Sequence, residues 1–283
     1  MAHETIECTL LLGVDYLDFG EYAVAEQAGG RSACAISVGM DARTRSSAFK
    51  GDHEVPNEDA VLVIDEGSRT LLAVADAHYG HEASHVLLER LADIDRVPHN
   101  VLELVDALRT IASVRKNASD AANGGEEADE NASAPRSASP GSPSETTLLV
   151  AVVDREAQRC FGVCYGDSTL VVAGDPRHPP IPRHSRPQIY VTPEDPVTLH
   201  PARAVEFDLA VPQGALVVVF TDGVDECCYR DPARSIQAPD LEGIAREHAT
   251  VEDFVASLTE AALCGVRGNP GGEDNIAVAA TCV

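Results

Sequence analysis

Acidic residues stand at the ends of several apolar runs in this 283-residue chain. In LAVADAHYGHEAS, residues 72–84, a run of small aliphatic residues stops at Asp76, and two histidines, His78 and His81, follow. Such a run predicts a buried strand, and a carboxylate at its end needs a proton, a partner or a metal ion to stay away from water. The sequence therefore raises the question of what Asp76 binds.

The same arrangement recurs elsewhere in the chain, at Asp167 after VCYG, at Asp222 after VVVFT, at Asp274 before NIAV, and at Glu58 and Asp59 before AVLVID. Taken singly, each of these residues is best interpreted as a turn residue or a helix cap. If two sheets bring the strand ends to one rim, however, two carboxylates about 4 Å apart repel by about 4 kcal/mol at an effective dielectric of 20. Divalent cations would relieve that repulsion. An all-oxygen ligand set suits Mg²⁺ or Mn²⁺, and the absence of paired Cys and His ligands argues against a structural zinc ion.

The elements that must position these carboxylates are mostly strands. Apolar residues recur at helical spacing in 81–95, 100–114 and 250–263, and in the last of these Thr250 and Asp253 have capping-box spacing. The remaining apolar runs predict strands over SACAISVGM, DAVLVID, TLLAVAD, TLLVAVVD, RCFGVCYGD, TLVVAGD, AVEFDLA, ALVVVFTD and NIAVAATCV. Runs of strands with helices in pairs predict an α+β fold, in which antiparallel sheets are covered by helices on an outer face. The proline-rich segment 177–196 is predicted to be a surface flap.

Two segments depart from this pattern. Residues 117–145 contain no large apolar side chain and are rich in Ser, Ala, Gly, Pro and Glu, which predicts a disordered insertion within one domain, 31–283. Residues 1–30 are predicted to be an N-terminal extension packed on that domain. They either add an edge strand or contact a partner, and the sequence does not choose between these alternatives.

Composition limits the classes of partner. The net charge of −25, from 46 acidic and 21 basic residues, argues against nucleic acid and anionic membrane surfaces. No run approaches the roughly 18 apolar residues of a membrane-spanning helix, and the N-terminus lacks the basic start of a signal peptide. We therefore expect a soluble cytoplasmic protein.

Five fragments together resemble a known family. PNEDA, VADAHYGHEAS, ETTLLVAVV with CYGDST, VVFTDGVDE and GGEDNIAV occur in the order and approximate spacing of the motifs of bacterial type 2C (PPM) metal-dependent protein phosphatases. The resemblance runs from about residue 35 to the C-terminus. It implies a β-sandwich of two antiparallel sheets flanked by antiparallel helix pairs, and hydrolysis of phosphoserine or phosphothreonine by a water that bridges two metal ions.

The resemblance also implies a role for each site residue. Asp76 is similar to the carboxylate that bridges two Mg²⁺ or Mn²⁺ ions, with the carbonyl of Ala77 as a further ligand. Asp222 and Asp274 are similar to the ligands that complete the first metal, Glu58 and Asp59 to the acidic pair of the second, and Asp167 to a ligand of a third. His78 lies where some members carry a proposed general acid, and it is equally compatible with a plain hydrogen-bonding residue. For His81 the plain interpretation is preferred.

The motifs also depart from the family pattern. Glu54 stands where the family has an arginine that binds the substrate phosphate, which reverses the charge. Ala77 replaces a glycine, so a positive φ there would be costly, and Tyr79 adds bulk beside the predicted metals. Two alternatives therefore stay open: a catalytically silent domain that binds metal and a regulatory protein partner, and a hydrolase for a small phosphate ester. The substrate in the leading hypothesis is a phosphoprotein.

Overall fold

The computed structural model describes residues 6–40, 55–113, 144–174, 177–181, 190–229 and 231–283. Its strands are β1 (Glu7–Leu12), β2 (Ala23–Glu26), β3 (Ser32–Ser37), β4 (Asp59–Asp65), β5 (Arg69–His78), β6 (Glu145–Thr146), β7 (Leu148–Asp154), β8 (Arg159–Tyr165), β9 (Thr169–Ala173), β10 (Val205–Ala210), β11 (Leu216–Phe220) and β12 (Ile276–Cys282). Its α-helices are α1 (Glu82–Ala92), α2 (Val101–Ser113), α3 (Asp222–Asp225), α4 (Ala238–Glu247) and α5 (Val251–Cys264). Short 3₁₀ turns cover Gly13–Asp15, Pro201–Arg203 and Pro232–Arg234.

The strands form two antiparallel sheets. The first has the order β1-β4-β5-β7-β8-β10, with β6 paired to the end of β5, and the second has the order β2-β3-β12-β11-β9. Residues 1–30 contribute to both sheets, because β1 pairs with β4 at one edge of the first and β2 pairs with β3 at one edge of the second.

The sheets stack in four layers with three apolar cores. In β4, Leu62 faces the core shared with α1 and α2, whereas its neighbour Val63 faces the core between the two sheets. In the second sheet, Val278 faces the core shared with α5, whereas Ala279 faces the first sheet. Both faces of the central strands are therefore buried, which explains their continuous apolar runs. The predicted α+β sandwich of two antiparallel sheets with flanking helices is confirmed.

The predicted helices in 81–95, 100–114 and 250–263 are observed as α1, α2 and α5. At the start of α5 the side chain of Thr250 accepts a hydrogen bond from the backbone N–H of Asp253, which is the predicted cap. The helix α4 was not predicted, because Leu241 is its one fully buried side chain and its apolar face is narrow. No helix in the described ranges is long and apolar enough to cross a bilayer.

The structure describes parts of the two predicted loop segments, 117–145 and 177–196. The predicted insertion 117–145 lies outside the described residues except at its end, where Glu145 belongs to β6 and the Ser144 hydroxyl donates to the carbonyl of Gly80. For Glu145 the structure shows a strand because β5 supplies a partner that the local composition does not reveal, and disorder of the rest of the segment stays a prediction. The segment 177–196 is anchored at both described ends: Ile181 bridges Leu170, and the fully buried Val191 bridges Thr146.

Candidate functional site

The strand-end carboxylates gather at one rim of the sandwich. Asp59, at the start of β4, is the direct cross-strand partner of Asp76 in β5. At the same end of the second sheet, β11 is antiparallel to β12, with Phe220 opposite Val278, so that Asp222 and Asp274 flank neighbouring strand ends. Asp167 lies between the end of β8 and the start of β9. Glu58, Asp59 and Asp76 are at most 2% exposed, whereas the other three are half-buried.

Hydrogen bonds join the two sheets at this rim. The hydroxyl of Thr221 donates to Asp59 Oδ2 (2.8 Å) and accepts from the backbone N–H of Ala277 (3.0 Å). The side chain of Asn275 accepts from the backbone N–H of Glu58 (3.1 Å) and donates to the carbonyl of Pro56 (3.1 Å). Because Thr221 and Asn275 belong to the second sheet's strand ends, these bonds fix the position of its carboxylates relative to those of the first sheet.

A glycine allows α3 to approach the start of β12 closely. A Cβ atom on Gly223 would lie 1.8 Å from the carbonyl oxygen of Asn275, far inside van der Waals contact. Only glycine fits there, and the close approach sets the position of Asp222, at the start of α3, relative to the start of β12.

The turn after β5 positions Glu58. Ala77 and His78 are extended, and the positive φ falls on Tyr79 (65°) and Gly80 (125°). The cost expected for Ala77 is therefore avoided and appears instead at Tyr79, where a left-handed conformation costs about 1–2 kcal/mol. The same turn directs the backbone N–H of Gly80 at Glu58, where it donates to Oε1 (2.7 Å).

His78 faces a tyrosine that the sequence did not single out. The hydroxyl of Tyr190 lies 3.5 Å from His78 Nε2, and the ring centroids are 4.8 Å apart. Burial raises the pKa of Tyr190, and nearby carboxylates raise it further, in the order Asp167, Asp76, Glu145 and Asp222. Tyr190 was assigned to a surface flap, and it reaches the rim because Val191 pairs with Thr146.

His85 supports the site from α1, and sequence reasoning missed it as well. Burial lowers the pKa of His85 to about 4, with a smaller contribution from His81, so its ring is neutral at neutral pH. Its Nε2 accepts from the backbone N–H of Gly13 (3.1 Å) and lies 3.3 Å from the carbonyl of Asp59. The one available signal was its spacing of four from His81, which puts both rings on one side of α1, with centroids 4.7 Å apart. His81 itself is half-buried.

The donor chemistry of the rim fits Mg²⁺ or Mn²⁺, since it offers carboxylate and carbonyl oxygens. Within the part of the chain that the structure describes, no three His, Cys, Asp or Glu side chains are arranged to hold a metal ion as they stand. The structure thus gathers the carboxylates without a preformed coordination cluster. The ligand roles of Asp76, Ala77, Asp222, Asp274, Asp59, Glu58 and Asp167 stay predictions, as does the role of His78. Glu54 lies outside the described residues.

Comparison with known proteins bears on the fold. No family model matches the chain, and no curated protein does. Among solved structures, the catalytic domain of the serine/threonine protein phosphatase PstP, solved with two manganese ions, aligns with a TM-score of 0.53 over 98% of this chain and 100% of its own, at 19% identity. The chain has the fold of type 2C (PPM) serine/threonine phosphatases.

Two further structures with this fold agree. PppA of Pseudomonas aeruginosa aligns with a TM-score of 0.54, 21% identity and coverage of 94% of this chain and 99% of its own. RsbX in complex with magnesium aligns with a TM-score of 0.50 and 11% identity, and the alignment covers 92% of this chain and 100% of its own. These structural alignments establish the common PPM fold, and identities of 11–21% leave activity to be tested.

Proposed function

We propose that this chain is a Mg²⁺- or Mn²⁺-dependent phosphatase that hydrolyses phosphoserine and phosphothreonine in proteins. One observation carries the proposal: carboxylates from both sheets of a PPM fold lie at one rim, where Thr221 ties Asp59 to the second sheet. The manganese in PstP and the magnesium in RsbX support a divalent cofactor of two or three ions. We place the enzyme in the cytoplasm and expect a phosphoprotein or a regulatory protein as its partner, rather than nucleic acid or a membrane.

In this proposal each rim residue has a role. Asp76 and the carbonyl of Ala77 would serve two ions, and the remaining carboxylates would complete them, namely Asp222 and Asp274 for the first, Glu58 and Asp59 for the second, and Asp167 for a third. Divalent cations held there would supply the nucleophilic water and neutralise charge on the phosphoryl group.

The chain's own groups supply orientation and a proton. Thr221 holds the Asp59 carboxylate, and the hydroxyl of Thr147, which accepts from the backbone N–H of Asp76 at 3.1 Å, fixes the end of β5. His78 would donate a proton from Nε2 to the leaving seryl or threonyl oxygen. That nitrogen faces Tyr190, at the open side of the rim.

The test is metal-dependent hydrolysis of p-nitrophenyl phosphate and of a phosphopeptide. Asp222→Asn removes one predicted ligand charge, so we expect turnover with Mn²⁺ to fall at least 100-fold, a loss of about 2.7 kcal/mol or more in transition-state stabilisation. The matched control is Asp106→Asn, on the exposed face of α2, which we expect to keep wild-type turnover.

The other outcomes identify the rival functions. If the wild type hydrolyses neither substrate while Mn²⁺ still raises its Tm, the chain is a metal-binding regulatory domain. If small phosphate esters turn over faster than phosphopeptides, it is a small-molecule hydrolase. Equal turnover in Asp222→Asn and the wild type would exclude the proposed metal site.

A further inference from the structure

The sequence motifs provide no positively charged side chain to bind the substrate phosphate at the rim. Glu54 occupies the place of the usual arginine, and a carboxylate repels a phosphate dianion. Binding of the phosphoryl oxygens therefore calls for a donor from elsewhere in the fold.

Tyr190 is held at this place by backbone pairing. Val191 exchanges two backbone hydrogen bonds with Thr146, of 2.9 and 2.7 Å, and β6 in turn pairs with Ala77 and His78 of β5. Continuing that register puts Tyr190 beside Thr147 and in the row of Asp76. The tyrosine is thus part of a small three-stranded extension of the first sheet, and this pairing fixes its backbone at the rim.

The chemistry of Tyr190 is that of a neutral donor. A phenol has an ordinary pKa of about 10 and is therefore protonated at neutral pH, and burial of Tyr190 favours the same form. A phenol that keeps its proton can donate to an anionic oxygen without adding negative charge to the rim.

The spacing of Tyr190 and His78 leaves room for a shared ligand. The 3.5 Å between the hydroxyl and Nε2 exceeds the 2.7–3.2 Å of a well-formed hydrogen bond, so the two groups border a common space. The other ring nitrogen of His78, Nδ1, is buried and has no hydrogen-bond partner among the described residues. Both side chains can therefore direct a donor into this space, where a phosphate ester could place its leaving oxygen near Nε2 and a non-bridging oxygen near the Tyr190 hydroxyl.

We propose that the Tyr190 hydroxyl, next to His78, donates a hydrogen bond to a non-bridging phosphoryl oxygen of the substrate and so takes over part of the task of the missing arginine. This inference rests on the proposed phosphatase function. It makes Tyr190 a substrate-binding residue contributed by the proline-rich segment 177–196.

The test compares Tyr190→Phe with Tyr22→Phe, which removes a hydroxyl from an exposed tyrosine just before β2. The readouts are kcat/KM for p-nitrophenyl phosphate and the Kd of inorganic phosphate by calorimetry, both with Mn²⁺. A hydrogen bond to a charged group is stronger than one between neutral groups, so we expect Tyr190→Phe to weaken both quantities by about 10- to 100-fold with little change in Tm. Tyr22→Phe should match the wild type.

The two hypotheses fail in different ways. If the wild type turns over and Tyr190→Phe equals it in both readouts, the inference is wrong and the phosphatase function stands. If the wild type does not turn over, the function fails and the phosphate titration alone decides: weaker binding in Tyr190→Phe supports the contact, whereas equal or undetectable binding in both proteins overturns it. A His78→Ala, Tyr190→Phe double variant that loses no more than His78→Ala alone would show that Tyr190 acts only through His78, which also overturns it.

Discussion

The hydroxyl of Thr221 joins the two sheets by hydrogen bonds at the carboxylate rim. Its side chain is completely buried, and it serves both as donor to Asp59 and as acceptor for Ala277. Since Asp59 is the direct cross-strand partner of Asp76, the orientation that Thr221 imposes on Asp59 also determines how the two carboxyl groups lie relative to each other.

Thr221→Val conserves the shape of the side chain and removes both hydrogen bonds. We expect the free energy of unfolding to fall by about 1–3 kcal/mol, because a buried carboxylate oxygen and a buried N–H lose their partner. Urea denaturation measures the change. Thr110→Val, on the exposed face of α2, should stay within about 0.5 kcal/mol of the wild type. Equal effects of the two substitutions would contradict this role for Thr221.

Gly223 has a comparable importance for the packing of α3 against β12. Gly223→Ala must displace the carbonyl of Asn275, which would lie 1.8 Å from the new Cβ, and it would shift Asp222 relative to the start of β12. We expect a lower Tm and a smaller Tm increase on adding Mn²⁺. The measurement is thermal unfolding with and without Mn²⁺.

Gly243→Ala is the matched control, because Gly243 lies inside α4 and nothing is within 4 Å of a Cβ placed on it. A glycine inside a helix costs about 0.5–1 kcal/mol relative to alanine, so this variant should be more stable than the wild type. A Gly223→Ala variant with unchanged Tm would show that the close approach to Asn275 is unimportant.

The elements with a long apolar pattern could be predicted from the sequence, whereas the weakly buried helix α4 and the two-residue strand β6 could not. β4, β5, β7, β11 and β12 read as continuous apolar runs because a layer covers each face. The helix α4 was not predicted because it buries little apolar surface. The strand β6 was not predicted because two residues are too few to show a periodic pattern.

The same distinction applies to the site. The carboxylates could be predicted as a group, because strand ends have a local signature and antiparallel sheets bring such ends together. The positions of Tyr190 and His85 could not be predicted, because each depends on a contact between distant residues. Tyr190 contacts His78, 112 residues away, and His85 binds Gly13, 72 residues away. No local pattern encodes pairings of that range.

The whole sandwich has two chemically different ends. The carboxylate rim lies where β4 and β12 begin and β5 ends, whereas Arg155 lies at the opposite end, in the turn between β7 and β8. Seven residues of β7 separate the two ends, a distance of about 20 Å. At the far end the guanidinium joins both sheets by hydrogen bonds to Asp65 (3.0 Å), Thr281 (2.9 Å) and the carbonyl of Cys282 (3.1 Å).

This separation predicts that stability can be changed at the Arg155 end without changing the chemistry at the rim. Arg155→Ala leaves Asp65 without its half-buried cation, and the loss of a hydrogen bond to a charged group costs about 1.5–3 kcal/mol. Arg159→Ala, four residues away, removes an ion pair to Asp208 that is largely in solvent and should cost less than about 1 kcal/mol. Urea denaturation should separate the two variants clearly. Hydrolysis of p-nitrophenyl phosphate with Mn²⁺, expressed per folded molecule, should be the same in both and in the wild type. A loss of turnover in folded Arg155→Ala would mean that the two ends of the sandwich are coupled through β7. The hydrogen bonds of Arg155 to both sheets would then help to set the geometry of the carboxylates.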